Sequence, residues 1–253
     1  AIYVAAYRDV TIRNNVFMGS TAGLLGGSIY VEPSSSPGGT GHVLIEDNDF
    51  YLGVSNSGTA VAVVDIPAEI TRNRMSEANG GNTIYISSVG PASMVTNNII
   101  AWAEEDAIGV AGTSTTPHQI LNNTIVHSGS HGIVGHIGTT INYINNIIAH
   151  TDTDSILAHG DLPTGSHNLF YNNGRDLNPL DNPITGQDPD FVGPINDNYH
   201  INEGSPAQDA GAVVTLTRDI DNESRPSGEG FDIGADEILE EIYYHFPIFF
   251  YAN

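Results

Sequence analysis

The chain has 253 residues, 40% of them hydrophobic, and no cysteine. It is long enough to bury a core unaided, and disulfide frameworks and thiol chemistry are excluded. Thirty acidic residues face seven basic ones, all arginine, for a net charge of -23, which excludes nucleic acid and anionic lipid as main partners because both need a cationic footprint.

The chain opens at Ala1 on "AIYV", which reads as mid-strand without an initiator Met, so a processed or trimmed piece is expected. A motif then recurs: "VTIRNNVF" (10–17), "VLIEDNDF" (43–50), "AEITRNRM" (68–75), "SMVTNNII" (93–100), "HQILNNTI" (118–125), "INYINNII" (141–148) and a shortened "HNLF" (167–170). Its aligned asparagines are Asn15, Asn48, Asn73, Asn98, Asn123, Asn146 and Asn168, in steps of 33, 25, 25, 25, 23 and 22. The long step holds "EPSSSPGGTG" (32–41), a surface insertion by composition. Two residues after each asparagine stands Phe17, Phe50, Met75, Ile100, Ile125, Ile148 or Phe170. Three before each of the first six stands Ile12, Ile45, Ile70, Val95, Ile120 or Tyr143. A second short strand follows most copies, as in "SIYV" (28–31), "TIYI" (83–86), "AIGV" (107–110), "GIVG" (132–135) and "SILA" (155–158).

A unit of about 25 residues that cannot bury its own apolar face, stacked on copies of itself, predicts an all-β parallel β-helix of about seven rungs over residues 1–175. The asparagines are expected at its corners, taking the left-handed backbone and hydrogen-bonding from rung to rung. In that register Asp47 meets Arg72, Asp49 meets Arg74 and Arg13 meets Glu46, three opposite-charge pairs.

The turns after the motif align Glu77, Trp102, His127 and His150 in one column, and Asp106, His131 and Asp154 in another. His127, His131, His150 and Asp154 are therefore expected as a metal-ligating set, with Glu104 and Glu105 close by. His136 and His159 form a further stack. Asp106 and Asp154, with His131 between them, are the candidate catalytic acids and base for a glycoside hydrolase. For a polysaccharide lyase, a chain with no lysine and with arginines facing acids needs Ca²⁺ to neutralise a uronate; no other cofactor is required. Trp102, Tyr3, Tyr30 and Tyr85 are candidate sugar-stacking residues. The plain alternative for each column is a solvated ladder of outward side chains.

From 176 to 237 the repeat gives way to a closing module. Its stretches "DPDFVGPINDNYHINEGSPAQDAGA" (188–212) and "RDIDNESRPSGEGFDIGADE" (218–237) resemble the end of bacterial surface β-helix proteins of the choice-of-anchor type, with "DIDNE" where that family has "DIDG". The resemblance implies a right-handed parallel β-helix and a secreted or cell-surface location, and no particular reaction. Asp209, Asp219, Asp221, Asp232 and Asp236 cluster here, with Asp219 and Asp221 in a spacing that suits Ca²⁺, although Asp caps and Asx turns explain the same residues.

Residues 238–253 end in an aromatic run that His245 and Pro247 interrupt. It is far short of the roughly 20 apolar residues of a membrane helix, so no membrane span is expected. Ile242, Tyr243, Tyr244, Phe246, Ile248, Phe249 and Phe250 instead suit a strand that docks on its own solenoid or on a second copy, end to end. Two functions follow from the sequence. One is a structural β-helix of the cell exterior, assembling head to tail into a fibre; the other is a carbohydrate-active or carbohydrate-binding β-helix with a polysaccharide partner. The first is favoured because no complete catalytic set is present.

Overall fold

The computed structural model describes residues 1–6, 8–33, 41–160, 163–176 and 180–239. Each coil contributes a strand to each of three parallel sheets. Sheet 1 runs in seven strands from Ile2–Ala6 to Ile156–Ala158. Sheet 2 runs in seven from Val10–Arg13 to Thr164–Ser166. Sheet 3 runs in eight from Val16–Met18 to Ile184–Thr185, so the stack continues past residue 175.

Register explains the apolar columns. Ile12, Ile45, Ile70, Val95, Ile120 and Tyr143 pair in sequence across sheet 2, and Phe17, Phe50, Met75, Ile100, Ile125, Ile148 and Phe170 across sheet 3. All are buried in one continuous core. Parallel strands lie about 4.8 Å apart, so like residues fall on like residues, and Phe17 and Phe50 stack at 4.8 Å with their planes 6° apart.

Sheets 2 and 3 meet at a two-residue corner whose parts are divided differently from expectation. The left-handed residue is the one before the ladder: Asn14, Asp47, Arg72, Asn97, Asn122, Asn145 and His167, all with φ between 52° and 57°. Arginine and histidine serve there because that position demands only a backbone conformation. The next position demands an amide. Each ladder asparagine from Asn48 to Asn168 is at most 1% exposed, and its Oδ1 accepts both the backbone N–H and the Nδ2–H of the preceding coil's asparagine at 2.9–3.1 Å. From Asn48 onward Nδ2 also donates to the main-chain carbonyl three residues ahead of the preceding coil's asparagine, as from Asn98 to Ile70 O at 2.8 Å. Pro183 takes the ladder place in the following coil, and with no amide it ends the column.

The three predicted charge pairs are in register, and two of them form ion pairs. Arg72 holds both Glu46 and Asp47, and Arg13 lies 3.9 Å from Glu46. Arg74 pairs in register with Asp49 but gives its guanidinium to Asp221, 2.6 Å away.

That contact belongs to the C-terminal module, which lies along the flank of sheet 3. The outward column of this sheet reads Asp49, Arg74, then Ile99, Thr124, Ile147 and Leu169. Ile99, Ala101 and Val126 pack on Tyr199, Ile220 and Ala235, while Ile147 and Leu169 pack on Ile201, Ala207 and Ile233. Three of the four doubled asparagines, all but the pair Asn14 and Asn15, face the module. Where the inner one builds the ladder, the outer one holds the module: Asn97 donates to Arg218 O, Asn122 to Asp232 O and Asn145 to Ala212 O, all at 2.8–2.9 Å. Arg225, 3% exposed, reaches Asn97 Oδ1, Gly234 O and Asp236 O, and its Nε lies 2.9 Å from Glu237 Oε2. Burial weakens the Arg225 proton's hold, and Glu237 opposite supplies the compensating charge.

The expected docking strand, with Ile242, Tyr243, Tyr244, Phe246, Ile248, Phe249 and Phe250, lies outside the described residues. Among those described, no helix is long and apolar enough to cross a membrane.

Candidate functional site

A second left-handed column follows sheet 3: Gly19, Leu52, Glu77, Trp102, His127, His150 and Asn172, with φ between 51° and 61°. The turn imposes this conformation on every coil, and it costs roughly 1–2 kcal/mol for a residue other than glycine or asparagine. These residues take the left-handed backbone as Arg72 and His167 do at the first corner, and what distinguishes this column is that its side chains meet.

Those side chains form a stack. Trp102 and His127 lie with ring centroids 3.9 Å apart and planes 11° apart, and His127 and His150 follow at 4.8 Å and 17°. Tyr171 closes the far end edge-on at 5.4 Å, and Asn172 Nδ2 lies 2.9 Å from His150 Nδ1. Burial, then the neighbouring His150, pushes the His127 imidazole below its ordinary pKa, so the ring is neutral at neutral pH. From the module, Asp197 accepts the Trp102 indole N–H at 2.8 Å and so fixes the ring in plane. One face of Trp102 is covered by His127. The other looks down the column toward Glu77, and a groove of about 560 Å³ runs along the column from Leu52 to His150 and Asp152. Its acids are Glu77, Glu104 and Asp152; Glu104 Oε2 is steadied by the Gly80 N–H at 2.7 Å.

The other expected column is a closed ladder. Asn82 Nδ2 donates to Asp106, His131 Nδ1 lies 2.8 Å from Asp106 Oδ1 and its Nε2 3.6 Å from Asp154 Oδ2, and Arg175 grips both oxygens of Asp154. Asp106, His131 and Asp154, the expected catalytic trio, are thus engaged with each other and with Arg175, and none lines the groove. The predicted metal quartet is parted for the same reason. His127 and His150 face each other as stacked rings, whereas His131 and Asp154 belong to the ion ladder. No three of the four bring their ligating atoms within 4.8 Å of one another.

The sugar-stacking set also divides. Tyr3 and Tyr30 are neighbours at 5.6 Å whose hydroxyls both donate to Glu32, and Ala62 separates Tyr30 from Tyr85 in register. They lie on sheet 1 and do not line the groove, so Trp102 alone of the four meets it. His136 and His159 stack as expected, with centroids 6.1 Å apart.

Residues 1–185 match the family model described as "Right handed beta helix region". The chain belongs to the right-handed β-helix family. Comparison with curated proteins found no match. The matched part of this right-handed β-helix ends with the last strand of sheet 3, and the flanking module lies beyond it.

In that module the two acids expected to hold Ca²⁺ do different things. Asp219, fully buried, accepts the N–H groups of Asp221, Glu223 and Glu237 on its two oxygens and so serves as a turn anchor. Asp221 turns instead to Arg74 and to His200, whose Nε2 lies 2.6 Å from its Oδ2. Among the described residues, the one set of three with mutually close ligating atoms in this right-handed β-helix is His200, Asp221 and Asp236. Sequence reasoning passed over His200; its only signal was its outward place in "NYHI", between the buried Tyr199 and Ile201.

Proposed function

We infer that this chain is a structural β-helix of the cell exterior whose groove at Trp102 binds carbohydrate. The observation that carries the reading is the free face of Trp102, 45% exposed and backed by the His127–His150 stack, turned toward Glu77 in a groove whose acids also include Glu104 and Asp152. An indole face receives the C–H face of a pyranose, and carboxylates accept from its hydroxyls. An acidic groove on a chain of net charge -23 repels uronate polymers, so the ligand is a neutral glycan. The exterior location rests on the resemblance of 188–237 to the choice-of-anchor proteins. End-to-end association through residues 242–250 would extend the same scaffold into a fibre; deleting 238–253 and measuring particle length by electron microscopy tests that extension.

Binding is tested by calorimetry with neutral cello-, manno- and xylo-oligosaccharides and, for contrast, polygalacturonate with Ca²⁺. A neutral oligosaccharide is expected to bind, Trp102→Ala to abolish binding, and no new reducing ends to form. Binding unchanged by Trp102→Ala would overturn the reading; new reducing ends would make the protein an enzyme.

A further inference from the structure

Three segments of the C-terminal module converge against the flank of the solenoid: the strand Asn198–Ile201, the turn at 219–223 and the stretch 235–237. They place His200 Nε2 2.6 Å from Asp221 Oδ2, with a carboxylate oxygen of Asp236 within 4.8 Å of both. Two further observations go beyond proximity. Asp236 is only 7% exposed, and while its Oδ2 accepts the Ile201 N–H at 2.9 Å, its Oδ1 receives no hydrogen bond from any described residue. That oxygen keeps contact with solvent and is open to a further ligand. His200 Nδ1 lies 2.5 Å from Asn198 Oδ1, which orients Nδ1–H toward the amide and turns Nε2 inward. That is how metal-ligating imidazoles are positioned by their neighbours. Asp221 is oriented the same way, with Oδ1 held by Arg74 Nη2 at 2.6 Å and Oδ2 left for the site.

We propose that His200, Asp221 and Asp236 bind a divalent transition metal of the Zn²⁺ class, which ties three segments of the module together on the flank of the β-helix. The metal takes the place of the proton shared by His200 and Asp221, and their Nε2···Oδ2 separation opens to about 3.3 Å, as two ligands at about 2.0–2.1 Å in a tetrahedron require. Two carboxylates balance the dication, and the imidazole selects against Ca²⁺ and Mg²⁺, which take oxygen ligands. The site is separate from the groove and shares no residue with it.

The test uses the full chain stripped with EDTA. Titration with Zn²⁺ is expected to show about one site, to raise Tm, and with Co²⁺ to give a visible absorption band; millimolar Ca²⁺ gives none of these. His200→Ala and Asp221→Asn should each weaken Zn²⁺ binding at least about ten-fold. His127→Ala, which removes one ring of the half-buried imidazole stack, should leave it unchanged. Absence of Zn²⁺ binding, binding indifferent to both site variants, or binding lost with His127→Ala would each overturn the proposal.

Discussion

Replacing Asn98 by alanine tests the ladder at its centre. The side chain donates to Ile70 O and Asn123 Oδ1 at 2.8 and 3.0 Å and accepts the N–H and Nδ2–H of Asn73 at 2.9 and 3.0 Å. Alanine leaves the buried Asn73 N–H without this acceptor, a loss of about 1–3 kcal/mol, and the other lost bonds bring the expected destabilisation to about 2–4 kcal/mol. Asn15 supplies the control, because it is the same residue at the exposed end of the column, with only a donor role in the ladder. Asn15→Ala should therefore cost less than about 1 kcal/mol. Urea unfolding followed by circular dichroism reads both values, and hydrogen exchange at the Asn73 amide reads the local break. If the two variants fall within 1 kcal/mol of each other, rung-to-rung amide bonding is not what holds the corner.

Three further outcomes are expected. Asn145→Ala removes two 2.8 Å bonds to Ala212 while leaving the ladder whole, so protease sensitivity of 190–239 should rise with the solenoid's circular dichroism unchanged, at a cost of about 1–2 kcal/mol. Arg225→Ala strands the fully buried Glu237 and should cost about 3–5 kcal/mol of module docking, with a shift in Trp102 fluorescence as Asp197 leaves the indole; unchanged fluorescence and protection would refute the clasp. His127 should titrate by NMR below 6.5. Between 6.5 and that midpoint the unfolded chain takes up a proton that the folded ring resists, so stability falls as pH falls through this window, and His127→Phe should flatten the fall. A midpoint at or above 6.5 refutes the half-buried stack.

The solenoid was legible because its signal is repeated. Each inward column could be checked against six copies, and stacking at one strand spacing turned alignment into contact. The Trp102, His127 and His150 column was likewise visible as a column. What an alignment of coils does not carry is the direction in which neighbouring columns point. His127 and His131 are four residues apart, yet one joins an aromatic stack and the other an ion ladder, because each is satisfied by its own column. The left-handed residue was misassigned by one place, since asparagine suits both corner positions and only Arg72 and His167 reveal which of them is conformational. The docking face was written in the sequence too, in the change from Asp49 and Arg74 to Ile99, Ile147 and Leu169 and in the doubled asparagines. A repeat alignment does not show it because the partner surface lies outside the repeat, up to 147 residues further along.

The two asparagines of a corner thus divide inside from outside. The inner amide is invariant down the ladder because its partners are its own copies, which a stack of equal coils always supplies. The outer residue is free to vary, and varies with what lies against it: Asp47 and Arg72 pair with each other on the open coils, whereas Asn97, Asn122 and Asn145 hold main-chain groups of the module. The groove depends on this second use. Asp197, which fixes the Trp102 ring, sits in the turn before the module strand whose Tyr199 packs on Ile99, Ala101 and Val126. A flat aromatic face on a turn is worth little as a binding platform unless its plane is held, because ordering the side chain on binding costs free energy. In this β-helix the plane is set from outside the repeat. The segment that has no place in the solenoid's periodicity is therefore what fixes the plane on which the proposed carbohydrate groove rests.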